Sequence, residues 1–210
     1  MKGLRYEVEI AVTEEILGTA SAHPDLYREF IASKRPENVD EAELDALPDV
    51  DEELRQSTTV FPRTPDGIPC LWDYQIKGFF KDACGCLRRV KDSESIKRKA
   101  YKKEIDGTVF VSPRQIPAIL PDAGEIGLCI RPLRAATAQG ERIALARSES
   151  LPVGTRFQFT VQLLLGDLEG VLFEWLTYGQ LRGLGQWRNS GKGRFSCTVT
   201  PEGKESILLA

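Results

Sequence analysis

The sequence predicts an α+β fold, with helices packed on an antiparallel sheet through connections of the split βαβ kind. Three stretches carry that expectation. Residues 4–12 place Tyr6, Val8, Ile10 and Val12 on one side and Arg5, Glu7 and Glu9 on the other, the period of a half-buried strand. Ile76, Phe79, Phe80, Ala83, Cys84, Leu87 and Val90 recur at helical spacing and form one apolar stripe along residues 74–90. Residues 156–164 alternate again. They lead into a helical pattern over 167–183, with Leu168, Val171, Leu172, Trp175, Leu176 and Leu181 as core positions.

In chain order, the opening strand gives way to a turn at Ile16-Leu17-Gly18-Thr19-Ala20, and residues 24–34 read as a short helix. Residues 35–57 read as an acidic peripheral insertion, helical in part and broken at Pro48. Phe61-Pro62-Arg63-Thr64-Pro65-Asp66-Gly67-Ile68-Pro69 is a turn-rich loop before the striped helix. That helix sets Lys77, Lys81, Arg88 and Arg89 mostly off its stripe, so it can pack on a sheet while presenting cations. Residues 101–111, centred on Asp106-Gly107, have the pattern of a β-hairpin, which makes the basic stretch 91–112 a finger-like hairpin region. A second hairpin should join 127–134 to 142–149 across Gly140, and a last strand, Arg194-Phe195-Ser196-Cys197-Thr198-Val199, closes what reads as one domain.

The formal net charge of −3 excludes an unstructured polycation, yet the charge is strongly polarised. Residues 37–53 hold nine carboxylates and no Lys or Arg, while residues 81–103 hold nine bases against three acids. Such asymmetry points to a basic functional face and an acidic segment elsewhere, although either run alone is commonly a solvated surface. No apolar run reaches the length of a membrane span and no signal pattern opens the chain, so a cytoplasmic protein with no membrane partner is expected. Cys70, Cys84, Cys86, Cys129 and Cys197 are odd in number and sit in apolar surroundings, which suits free buried thiols. His23 is the only histidine and no second Cys pair accompanies Cys84 and Cys86, so neither a metal nor another cofactor is expected.

The strongest functional signal is Gly183-Leu184-Gly185-Gln186-Trp187-Arg188-Asn189-Ser190-Gly191-Lys192-Gly193-Arg194-Phe195. Glycines let backbone amides approach a ligand closely. Successive exposed amides make an anion-binding concavity, and Arg188, Lys192 and Arg194 supply charge suited to phosphate. Trp187 offers a ring on which an unpaired base can stack. Gly183, Gly185, Trp187, Arg188, Asn189, Ser190, Gly191, Lys192, Gly193 and Arg194 are therefore candidate nucleic-acid contacts, joined by Lys77, Lys81 and Arg88 of the striped helix. The loop is neither a nucleotide P-loop nor a dinucleotide fingerprint, since it closes a helix and leads into a strand. A plain surface turn is the competing explanation.

Four stretches in the same order resemble the RAMP superfamily, the RNA-binding proteins of CRISPR systems, and among them the backbone subunits that coat guide RNA. They are the opening strand with Glu15-Ile16-Leu17-Gly18-Thr19-Ala20, the segment from Phe61 to Lys77-Gly78-Phe79-Phe80, Leu151-Pro152-Val153-Gly154-Thr155-Arg156-Phe157, and the helix with its glycine loop. The family's usual Pro-Gly-Ser-Ser ahead of the helix Lys-Gly is replaced by Trp72-Asp73-Tyr74-Gln75-Ile76. The resemblance implies a ferredoxin-like, RRM-related fold with inserted hairpins. It also implies a non-catalytic protein that grips single-stranded RNA by its phosphates, with little sequence preference, and assembles with copies of itself and other effector subunits along the strand.

Three other readings stay open at this level. A diverged phage or mobile-element relative would bind single-stranded DNA. A metal-independent RNA endonuclease would need His23 as acid or base, or Asp25 in a cleaving role. An acidic interaction module would act through residues 37–53.

Overall fold

The computed structural model describes residues 3–22, 58–137, 140–202 and 207–209, with backbone alone over 133–137 and 140–144. The expected helix at 24–34, the acidic insertion, His23 and Asp25 lie outside the described residues. In strand β1 (Leu4–Val12) the alternation acts as its period requires, burying Tyr6, Val8, Ile10 and Val12. Two short strands follow, β2 (Ile16–Leu17) and β3 (Ala20–Ser21), and the chain resumes at β4 (Thr58–Val60) and β5 (Cys70–Trp72).

Helix α1 (Asp73–Leu87) starts where the Trp72 amide donates to Oε1 of Gln75 at 2.7 Å, half of a capping box. Its stripe buries Ile76, Phe79, Phe80, Ala83 and Cys84, while Val90 lies beyond the helix and is exposed. Strand β10 (Arg156–Leu163) alternates as predicted, and helix α3 (Glu169–Arg182) buries Val171, Leu172, Trp175 and Leu176. Leu181, expected in the core, is 69% exposed, because the helix turns that position away from the sheet. Strand β11 (Phe195–Pro201) follows the glycine loop, and β12 (Ile207–Leu209) pairs with it at the sheet edge.

The expected hairpin at 101–111 is not formed. Residues Tyr101–Thr108 are helix α2, and strand β6 (Val109–Ser112) pairs with distant β10. Tyr101 and Ile105 stand one helical turn apart and pack toward the core, and Arg98 braces the helix by binding Glu104 at 2.7 Å and Asp167 at 2.9 Å. The bases around Lys97–Lys103 therefore ride on a single 3-10 turn (Glu94–Lys97) and a short helix rather than on a finger. The other predicted hairpin is present, as long strands β8 (Gly127–Thr137) and β9 (Gly140–Leu151) in antiparallel register.

Strands β11, β1, β10 and β6 lie side by side, all pairings antiparallel, with β7 (Gln115–Ile119) continuing along β10 and leading to β5. Counted with α1 and α3, this is the 4-1-3-2 strand order of a ferredoxin-like βαββαβ unit. A second sheet of β2, β9, β4 and β3 with β8 packs at one end. One apolar cluster joins them, from Trp175, Phe80 and Phe157 to Ile16, Phe61 and Leu151. Cys84 and Cys197 are buried in it, Cys70 is buried as well, and all five thiols are free. Burial pushes the Cys197 thiol up to about 12, so it behaves as a small apolar side chain. No helix among the described residues is long and apolar enough to cross a membrane.

Candidate nucleic-acid interface

Helix α3 ends because Gly183 takes a φ of +73°, a left-handed step that costs a glycine little. From there the loop folds back on itself and onto β2. The Leu184 amide donates to the Gly193 carbonyl at 2.8 Å, and the Gly193 amide to the Glu15 carbonyl at 2.9 Å. A Cβ on Gly193 would sit 1.9 Å from the Leu184 oxygen, and one on Gly185 would sit 2.7 Å from the Leu17 oxygen. These glycines permit close backbone packing. The amides of Gly183, Leu184, Ser190, Gly191 and Gly193 all donate to backbone carbonyls, so the expected cradle of successive free amides is not what these positions present. Behind the loop, Phe195 packs on Gly179, where even a methyl group would meet its ring at 2.0 Å.

Side chains hold the loop as firmly as its backbone. Asp82 of α1 accepts from Arg182 at 2.9 Å and from Arg188 at 2.8 Å, and Arg182 also reaches Asn189 at 2.9 Å. Burial alone would push the Asp82 carboxyl up. The Arg182 hydrogen bond and the charges of Arg188 and Arg182 outweigh it and hold the group below the usual carboxylate range. Lys192 is paired with Glu15, and that bond raises its pKa. Gln186 donates to the Gly18 carbonyl at 2.9 Å and accepts from Arg131 of β8 at 2.6 Å. Arg131 also donates to Ser148 Oγ at 3.0 Å, and its guanidinium lies 5.4 Å from the Trp187 ring centre. Trp187 itself is 41% exposed.

Between α1, the loop and the first turn of the chain runs a groove of about 200 Å³, lined by Thr19, Gln75, Gly78, Asp82, Gly185 and Arg188 among others. A side chain on Gly78 would meet nothing within 4 Å, so the helix is open on this flank. Arg131 and the exposed Arg194 make no ion pair among the described residues, which leaves this corner with an excess of positive charge.

The structure brings Gly183, Gly185, Trp187, Arg188, Asn189, Ser190, Gly191, Lys192, Gly193 and Arg194 together, and places the other three candidates elsewhere. Lys77 donates to the Asp106 carbonyl at 3.2 Å and lies 5.4 Å from the Phe110 ring centre. Lys81 pairs with the Asp106 carboxylate at 2.5 Å, and Arg88 stacks over Tyr101 at 5.5 Å. These three face α2, on the flank of α1 away from Asp82 and the loop. Trp72 stacks on Tyr74 and beneath Arg114 with its indole nitrogen buried. Sequence reasoning missed Arg131, Gln186 and Asp82. The available signal was Arg131 itself, a charged residue on a strand whose neighbours Leu128 and Ile130 point to solvent.

An RRM reads RNA with aromatics on its open sheet face. Here that face holds a polar groove of about 460 Å³ lined by Glu7, Glu9, Gln158, Thr160, Thr198 and Thr200 with Pro113, and Phe110 of the edge strand β6 is exposed on the same side. The aromatic residues of β10, Phe157 and Phe159, point the other way into the core.

Fold and site together define a ferredoxin-like α+β protein whose glycine-rich loop is docked on a second sheet. The chain is similar to one in the cryo-EM structure of the Type III-B Cmr-beta complex bound to cognate target RNA, at 13% identity and a TM-score of 0.56. The match covers all of this chain and 62% of that one, so this protein spans under two thirds of that chain's length. A chain of a Type IV-B CRISPR complex matches at 16% identity and a TM-score of 0.45, over 98% of this chain and 94% of that one. No protein-family model matches the sequence, and no curated protein matches it.

Proposed function

We propose that the protein is a non-catalytic, sequence-tolerant binder of single-stranded RNA that works as a subunit of a CRISPR-type effector complex, side by side with further copies along the strand. The observation that carries this reading is the loop corner. An exposed Trp187, a net excess of cations and an open groove beside Gly78 lie on elements that the chain locks in place by paired glycines and shared arginines. Strand phosphates would lie along Arg188, Lys192 and Arg194, releasing counterions, and unpaired bases would stack on Trp187. Support also comes from the likeness in fold to a chain of an RNA-bound complex.

The reading is tested by fluorescence anisotropy with labelled single-stranded RNA, single-stranded DNA and duplex across a salt series, with particle size followed in parallel. Salt-sensitive RNA binding of similar affinity for unrelated sequences, growing into larger assemblies on longer strands, is expected. Tight binding to duplex, a strong preference for one sequence or no binding at low salt would contradict it.

A further inference from the structure

Strand β8 is built against the usual rule. It exposes Leu128 (52%) and Ile130 (51%) and turns Arg131 inward, where only 6% of the residue remains accessible. A shift of register by one residue would reverse this and bury the two aliphatic side chains instead. Burying a guanidinium without a carboxylate is costly, and among the described residues Arg131 has none. Its partners are the neutral oxygens of Ser148 and Gln186 and the face of Trp187. Ser148 is itself held by the Thr59 hydroxyl at 2.8 Å, and Gln186 by the Gly18 carbonyl at 2.9 Å. Two of the three contacts of the buried cation, Gln186 and Trp187, therefore lie on one segment of the loop, and the third, Ser148, ties it to β9.

That segment is strained. Trp187 has a φ of +54°, a left-handed conformation that a bulky aromatic residue rarely adopts. Strain of this kind persists where the surroundings over-determine it, which is common at ligand contacts. One face of the ring is backed by the Arg131 cation, and the ring retains 41% exposure.

We infer that Arg131 is a positioning residue that holds the Trp187 ring as a fixed platform for one unpaired nucleobase. The inference rests on the strand-binding reading above and deepens it by naming the part of the strand recognised at this spot. The base stacks on the ring face turned away from Arg131, and the guanidinium, already shielded, touches no phosphate. Duplex, whose bases are paired and stacked, cannot use the platform.

The test compares a short RNA with an oligomer of equal length whose sugars are reduced and abasic, on wild-type protein and on Trp187→Ala, Arg131→Met and Arg131→Lys. Arg131→Met fills the space without a charge; Arg131→Lys keeps a charge but replaces the planar fork, whose two nitrogens serve Ser148 and Gln186 separately, with a single nitrogen. Wild type should favour the base-bearing strand by about tenfold. Trp187→Ala and Arg131→Met should bring that ratio to within about twofold, with the salt slope of the remaining binding unchanged, and Arg131→Lys should fall between. Equal wild-type affinity for both strands would overturn the platform while leaving strand binding intact. A wild-type ratio in either folded Arg131 variant, or a salt slope reduced in Arg131→Met, would overturn the positioning role. Failure of wild type to bind either strand would overturn the functional reading itself.

Discussion

The outer face of the main sheet and the glycine-loop corner are both open, polar surfaces of one fold, and they are made in opposite ways. On the sheet, Glu7, Glu9, Gln158, Thr160, Thr198 and Thr200 point outward because strand alternation sends every second residue there. Among the described residues no charge is buried there, and the one ion pair, Glu9 with Arg156, spans 3.5 Å at the surface, a contact of small energetic weight. At the corner the chain accepts a left-handed tryptophan, an inward arginine and backbones too close for any residue but glycine. A surface that follows from periodicity alone needs no further explanation. One that violates local rules at several neighbouring positions calls for a function, and in the proposed reading the loop edge carries it and the sheet does not.

The contrast breaks first at Gly193. Replacing it with Ala adds a Cβ at 1.9 Å from a carbonyl oxygen at a φ of +72°, so a loss of about 3 kcal/mol in chemical denaturation and a collapse of RNA affinity are expected. Gly78→Ala, with open space around it, should instead be neutral or stabilising by up to about 1 kcal/mol. Equal effects of the two would show that the loop is ordinary surface.

Next come the two loop cations that the proposed path gives to phosphates. Lys192→Ala with Arg194→Ala is expected to weaken RNA binding several-fold for every sequence tried and to lower the salt slope by up to about 1.4, whereas Lys77→Ala with Lys81→Ala, on the flank of α1 that faces α2, should leave the slope unchanged. A slope lowered by the Lys77 and Lys81 pair instead would carry the strand onto that flank.

Asp82 sharpens the comparison through pH. Its folded pKa is depressed, so the stability it contributes is present above the ordinary carboxylate pKa near 4 and is lost as pH falls through the lower folded value. The melting temperature should drop on acidification below about pH 4, and this limb should be shallower in Asp82→Asn. The smallest effect belongs to the sheet face: Glu7→Gln with Glu9→Gln should change RNA affinity by no more than about twofold, through long-range charge alone.

Much of the fold was legible. The strands at 4–12 and 156–164, the striped helix and the hairpin across Gly140 follow from periodicity and turn residues that act locally. The misread segment was 101–111, where Asp106-Gly107 mimics a hairpin turn. What decides the helix there is Arg98 reaching Glu104 and Asp167, and β6 finding its partner on β10, both set by tertiary contacts. The site was half legible. Glycine, cation and tryptophan density marks residues 183–194, but the same letters serve amides that present themselves or amides that pair, and only the fold shows that several are paired. Arg131 gave no motif, because its meaning lies in Ser148 and Gln186, which are brought to it from elsewhere in the chain.

The central claim, that RNA lies at the loop corner and not on the sheet, is tested most directly by photo-crosslinking 5-iodouridine-substituted single-stranded RNA to the protein and mapping the modified peptide. Adducts within residues 186–194, centred on Trp187, are the predicted result. Adducts confined to β1, β10 or β11 around Glu7, Gln158 and Thr198 would contradict the account and return recognition to the sheet.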